Sequence, residues 1–201
     1  MKYIQKIVRE VEKVYADLDR EAMYFTGQSE LNCLKGCSSC CLYKNIRASV
    51  LEMIPLAWYL HLNNQQDEVM EKLDQSRTVC VSHRILDTGE GSGGCLHYEQ
   101  RPLICRLFGN AGIRIKDGQI AIYTCRIMKD ADPPHFQQVM KRLQHELYIP
   151  MAQDYQTRLD VIDFALASDI HPINQSLKKA MEKVSFHFRG KPEPGQIRRA
   201  V

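Results

Sequence analysis

The chain has 201 residues, 44% of them hydrophobic and 25% charged, with 11 glycines, 8 prolines and 8 cysteines. That composition excludes a disordered, collagen-like or low-complexity chain. A globular chain of this length buries roughly 70% of its unfolded surface, so it does not depend on disulfides to fold and its cysteines need another explanation. The formal net charge of +3 is carried by Arg189, Lys191, Arg198 and Arg199 against Glu193 near the C-terminus, which leaves residues 1–186 neutral and weighs against a nucleic-acid groove.

The opening MKYIQKIVREVEK mixes charged with apolar side chains, the pattern of neither a signal peptide nor a membrane span, and the expected location is the reducing cytoplasm. Ile4, Val8, Val11, Tyr15, Leu18 and Ala22 recur at steps of four and three. This predicts one amphipathic helix over residues 2 to about 26, ending near Gly27. Residues 31–47 then form a Gly/Ser-containing loop with Cys33, Cys37, Cys40 and Cys41. Ser49 followed three residues later by Glu52 is a capping box that opens a helix reaching about Asn63. The longest apolar stretch, Met53 to Leu60, lies in that helix, contains Pro55 and falls far short of the ~20 residues a span requires, so no membrane insertion is expected.

Gln66 to about Thr78 predicts a further helix with Val69, Met70 and Leu73 inward, closed by Cys80. The glycine-rich DTGEGSGG of residues 87–94 lacks the GxxxxGK[ST] pattern and a preceding strand, so it is expected to be a mobile surface connection rather than a phosphate cradle. Between Gly112 and Cys125 a hairpin is predicted. A two-residue Asp117-Gly118 turn would pair Ile115 with Ile120 and Ile113 with Ile122, all four covering core. Asp132 before Pro133 opens a helix using Phe136, Val139, Met140, Leu143 and Leu147 up to Pro150, and two more helices follow over 153–169 and 172–186. The expected fold is mainly α: a helical single domain over residues 1–186 around a loop-rich cysteine metal core with one small β-hairpin. Its C-terminal helices span 132–186, and a basic flexible tail covers 187–201.

The cysteines read C-x3-C-x2-C-C at Cys33, Cys37, Cys40 and Cys41, then singly at Cys80, Cys95, Cys105 and Cys125. Isolated cysteines are commonly small buried hydrophobes, but four within nine residues, among Lys35, Gly36, Ser38 and Ser39, have no apolar periodicity that would bury them. Thiolates so closely spaced can converge on one metal, whereas adjacent Cys40 and Cys41 cannot pair with each other without strain. Eight thiolates around two zinc ions or two oxidised four-iron clusters leave a net negative site. Lys35, Arg101 and Arg106 stand next to cysteines and are candidates to neutralise it, with Arg106 favoured to donate hydrogen bonds to sulfur. His83 and His97 are near cysteines in sequence, but a thiolate-rich site needs no imidazole, and hydrogen-bonding roles are expected for both. Tyr98 is expected to be a core residue with its hydroxyl near the site.

Cys33-Leu34-Lys35-Gly36-Cys37-Ser38-Ser39-Cys40-Cys41, together with the run Cys95-Leu96-His97-Tyr98-Glu99-Gln100-Arg101-Pro102-Leu103-Ile104-Cys105-Arg106-Leu107-Phe108-Gly109, resembles the two signatures of the YkgJ-like cysteine-cluster family. The resemblance covers about residues 30–126 and departs from the family where Cys80-Val81-Ser82-His83 replaces Cys-Pro-Phe-Leu and where the glycine-rich loop is inserted. It implies a zinc- or iron-chelating domain, often labelled an iron–sulfur oxidoreductase, with Cys80 and Cys125 in the places of the remaining cysteines. The sequence reading is therefore a metal-binding protein with an iron–sulfur cluster and a redox or electron-transfer role, acting with a redox or protein partner. A structural zinc module that mediates protein interaction is the alternative. Cys33-x3-Cys37-x2-Cys40 also has radical-SAM spacing, but a helix precedes it and no alternating βα pattern follows.

Overall fold

The computed structural model describes residues 2–33, 37–75, 79–85 and 93–188. The first helix, α1 (Lys2–Ser29), buries the predicted stripe and adds Ile7, Val14 and Phe25 to it. It continues past Gly27 and stops at Glu30, whose φ of 57° is left-handed and whose N–H donates to the Thr26 carbonyl at 2.8 Å. Strand β1 (Arg47–Ser49) leads into α2 (Val50–Leu62) through the predicted capping box, in which both the Ser49 and Glu52 side chains bond the other residue's backbone. Almost all of α2 is buried because it lies between α1 and α9 (Ile173–Phe188). Helix α3 (Gln66–Asp74) is shorter than expected, and residues 76–78 lie outside the described chain.

Helix content was legible in periodicity; short strands were not. Besides the expected hairpin of β4 (Gly112–Arg114) with β5 (Ile120–Ile122), two further antiparallel pairs occur among the described residues. They are β1 with β6 (Ile170–Pro172), and β2 (His83–Ile85) with β3 (Gly93–Cys95). Three-residue strands are too short to show an alternation. The expected hairpin has a different register: Ile113 faces Ala121 and Gly112 faces Ile122. Its turn is longer than two residues, closed by Gly118 N–H to Ile115 carbonyl and by Ile115 N–H to Gln119 carbonyl, both at 2.9 Å, with Gly118 at φ 81°. Shifting the pairing by one residue moves side chains between faces. Ile122 is buried, whereas Ile115 is exposed instead of covering core.

Helix α4 (Leu103–Leu107) carries Cys105, and α5 (Arg126–Ala131), which periodicity missed, begins at Cys125. Asp132 opens α6 (Pro133–Arg142) by accepting from His135 N–H at 3.1 Å. The helix expected over 153–169 is broken into α7 (Ala152–Ile162) and α8 (Phe164–Ser168) by Asp163, which is extended and whose carboxylate caps Leu166 N–H at 3.0 Å. The larger core joins α1, α2, α7 and α9, with Cys80 and Cys105 packed against it. A smaller one, built on Phe25, Leu31, Ile122, Met128, Val139 and Leu143, carries Cys125. Among the described residues no helix is long and apolar enough to cross a membrane. Of the glycine-rich DTGEGSGG of residues 87–94, Gly93 and Gly94 belong to β3 and pair with β2, a strand that precedes the glycines, rather than to a mobile connection, and His187 and Phe188 of the expected tail end α9; residues 86–92 and those from 189 lie outside the described chain.

Candidate metal centre

All eight cysteines are free thiols, Cys33 exposed and the other seven partly buried. Five kinds of local structure present six of them, while Cys33 and Cys37 lie in the segment between α1 and the first 3-10 turn. Cys40 and Cys41 sit in a single 3-10 turn (Ser39–Leu42), set by Cys41 N–H donating to the Ser38 carbonyl at 2.8 Å. Cys80 precedes β2, and its neighbouring peptides are clamped from α9: Val81 N–H donates to Asn174 Oδ1 and Asn174 Nδ2 to the Val79 carbonyl, both at 2.9 Å. Cys95 ends β3 directly opposite His83. Cys105 lies on α4, and the Cys125 sulfur caps α5 by accepting from Met128 N–H at 3.4 Å. Asn174 was not recognisable from sequence, because it lies far along the chain in an amphipathic helix.

Electrostatics show which sulfurs are neighbours. The Cys105 thiol is held above its ordinary range first by burial, then by the charges of Cys80, Cys40 and Cys95, with Glu52 adding to them. Cys80 is pushed up to about 11 by burial and by Cys95. Cys95 is raised by burial and by Cys40, against a lowering by Arg101. Cys41 donates its thiol hydrogen to Cys40, so Cys41 holds its proton tightly and Cys40 is the first of the two to ionise, helped further by Arg101. Cys33 is pushed up to about 11 by burial, Cys37, Cys125 and Cys40. One group thus comprises Cys40, Cys41, Cys80, Cys95 and Cys105, a second Cys33, Cys37 and Cys125, and Cys40 stands in the field of both. Among the described residues, no three His, Cys, Asp or Glu side chains are already arranged to hold a metal ion.

The two histidines are engaged by serines. A His83 ring nitrogen lies 3.0 Å from Ser38 Oγ, and His97 Nδ1 lies 3.0 Å from Ser82 Oγ. These contacts link neighbours of different cysteines. Gly93 closes the first link, since a Cβ there would stand 2.3 Å from Ser38 Oγ and 2.8 Å from the Arg84 carbonyl.

The arginines divide sharply. Arg106 does not turn to sulfur: its Nε donates to the Arg101 carbonyl at 3.0 Å and its terminal nitrogens to the Asp19 carboxylate and the Glu99 carbonyl. Its guanidinium also lies over the Tyr15 ring, 4.6 Å from the centroid. Successive residues on a helix point about 100° apart, so Arg106 faces α1 because its neighbour Cys105 faces the sulfurs. Arg101 precedes α4 and is free of that constraint. Its guanidinium stacks on Tyr98 at 3.8 Å, its charge stabilises the thiolates of Cys40 and Cys95, and its buried Nε has no hydrogen-bond partner among the described residues. Tyr98 itself is largely exposed. Lys35 lies outside the described chain.

This arrangement fits a metal centre. Like-charged thiolates that raise one another's proton affinity gain most from a shared cation, the donors are soft sulfur, and a buried N–H lacks only an acceptor such as sulfur. Residues 32–131 match the family model CxxCxxCC, described as "Putative zinc- or iron-chelating domain". Comparison with curated proteins and with solved structures gave no match.

Proposed function

Since the chain belongs, through residues 32–131, to the zinc- or iron-chelating CxxCxxCC family, we propose that it is an iron–sulfur protein with a redox or electron-transfer role. The observation that carries this reading is the mutual electrostatic contact of Cys40, Cys41, Cys80, Cys95 and Cys105, which come from three separated stretches of sequence. Each nearby histidine holds one ring nitrogen to a serine, and the groups that influence one another across the site are sulfurs. Cys33, Cys37 and Cys125 supply a second sulfur set, and Cys40 lies between the two. An iron–sulfur centre bound there supplies one-electron transfer. Arg101 would then donate its unpaired Nε–H to sulfur, which stabilises the more negative, reduced state and raises the reduction potential.

A metal shared by these sulfurs would need the thiols of separate segments to face one atom. The 3-10 turn carrying Cys40 and Cys41 is the natural moving part, because Cys80 and Cys105 are packed on the main core. Anaerobic purification followed by iron, zinc and acid-labile sulfide analysis tests the assignment. Iron and sulfide together, with visible colour, are expected. Zinc in stoichiometric amount without sulfide would overturn the redox reading in favour of a structural zinc module.

A further inference from the structure

Helix α4 is five residues long and starts directly after Pro102, which offers no side-chain acceptor, so its first amides have no local cap. They are capped from elsewhere in the fold. Leu103 N–H donates to Tyr15 Oη of α1 at 3.2 Å, and Ile104 N–H donates to Glu52 Oε2 of α2 at 2.9 Å. The next two amides, of Cys105 and Arg106, turn back to the Pro102 carbonyl at 3.0 and 3.3 Å. Tyr15 in turn donates to the Glu52 carbonyl at 3.0 Å, and the other Glu52 oxygen holds Ser49 by its N–H at 2.8 Å and its hydroxyl at 3.1 Å. One buried carboxylate therefore caps two helices, its own and α4.

We propose that Tyr15 and Glu52 are positioning residues, which cap α4 from outside and thereby fix the direction of Cys105 before any metal arrives. A five-residue helix is too short to persist by itself, so its direction is set by what holds its ends. A serine or aspartate before Leu103 would satisfy the amides equally well, but would leave α4 free to turn. Caps supplied by α1 and α2 tie it to the two helices that define the main core. The far side is fixed in the same way, by Arg106 bound to Asp19 of α1. Tyr15 and Glu52 are 3% and 4% exposed, so water cannot replace either cap without an opening of the core. The proposal rests on the reading of Cys105 as a metal ligand, and its test separates the two.

The test uses the full chain as Tyr15→Phe, Glu52→Gln and Cys105→Ser variants. In reduced, metal-free protein, iodoacetamide labelling is followed cysteine by cysteine. Tyr15→Phe, which removes a cap and no charge that acts on Cys105, should speed labelling of Cys105 several-fold and leave Cys33 and Cys125 at the wild-type rate; Glu52→Gln also removes a charge that raises the Cys105 thiol, so it should do the same to at least the same degree. Retention of zinc or iron against a chelator should fall roughly 10–100-fold in both variants, the range expected when a supporting partner of a ligand is removed. Equal acceleration at all cysteines, or an unchanged Cys105, would overturn the positioning role. Should Glu52→Gln not fold, Tyr15→Phe keeps the shape of the core and carries the comparison. In the wild-type chain the amides of Leu103 and Ile104 should also exchange as slowly as those of α2, and fast exchange would count against the proposal. If Cys105→Ser retains metal as the wild type does, the ligand reading fails, whereas selective labelling of Cys105 would still establish the positioning.

Discussion

Arg101 and Arg106 flank the same short stretch and carry the same charge, yet their surroundings give them different tasks. Arg106 has a side chain 5% exposed and ties α4 and the preceding turn to Asp19, so Arg106→Gln should act on stability. Loss of its hydrogen bonds, with Asp19 left partly in water, should cost about 2–3 kcal/mol in chemical denaturation. Arg101→Gln should cost little stability, since its one ion pair among the described residues, with Asp19, is long at 3.8 Å. It should instead lower the reduction potential of a bound iron–sulfur centre. Voltammetry of both variants checks the pair, and a potential shift in Arg106→Gln alone would reverse the assignment. Sequence adjacency pointed to Arg106 because a five-residue helix is too short for its periodicity to show which way neighbouring residues face. The cysteines were legible by contrast, because their density has no explanation in core packing.

At the level of elements, Gly93 is a point of close approach between two cysteine-bearing segments. Its missing side chain lets the β2–β3 hairpin pass against Ser38, and one of the atoms a Cβ would meet is the backbone carbonyl of Arg84, which cannot rotate away. Gly93→Ala should therefore destabilise the fold by about 1–3 kcal/mol, as overpacking does, and loosen metal retention. Gly94→Ala, where a Cβ would meet nothing within 4 Å, should be tolerated. Thermal melts of the two variants distinguish these outcomes, and equal melting temperatures would contradict the account. Here sequence reasoning was least complete. The capping box at Ser49 and Glu52 was plain from four residues, but its second use, on Ile104 N–H, depends on how α2 and α4 pack. The hairpin was found with the wrong register, because Asp117-Gly118 fits both a two-residue turn and the longer turn that the chain adopts.

For the whole molecule, the larger core anchors Cys80 and Cys105 and the smaller one Cys125, one or two sulfurs of each group, and the charge balance of the site couples metal binding to pH. Burial and neighbouring thiolates push Cys33 and Cys80 up to about 11, and Cys41, Cys95 and Cys105 are likewise raised. These thiols keep their protons near neutral pH in the metal-free chain, so a thiophilic metal must displace one proton from each sulfur it takes. Apparent affinity should climb as pH rises from 6 to 9, and loading with zinc in weak buffer should release several protons; a pH-independent affinity with no release would contradict the raised thiols. The helical scaffold was legible because long periodic segments build it. The long-range clamps from Asn174, Tyr15 and Asp19 were not, because each joins residues far apart in sequence.

X-ray absorption at the metal edge of the protein as purified without oxygen reads the donor atoms themselves. Iron with a first shell made of sulfur alone is expected, and the same shell when His83 and His97 are each replaced by alanine. A first shell containing nitrogen or oxygen that disappears with either histidine would contradict it.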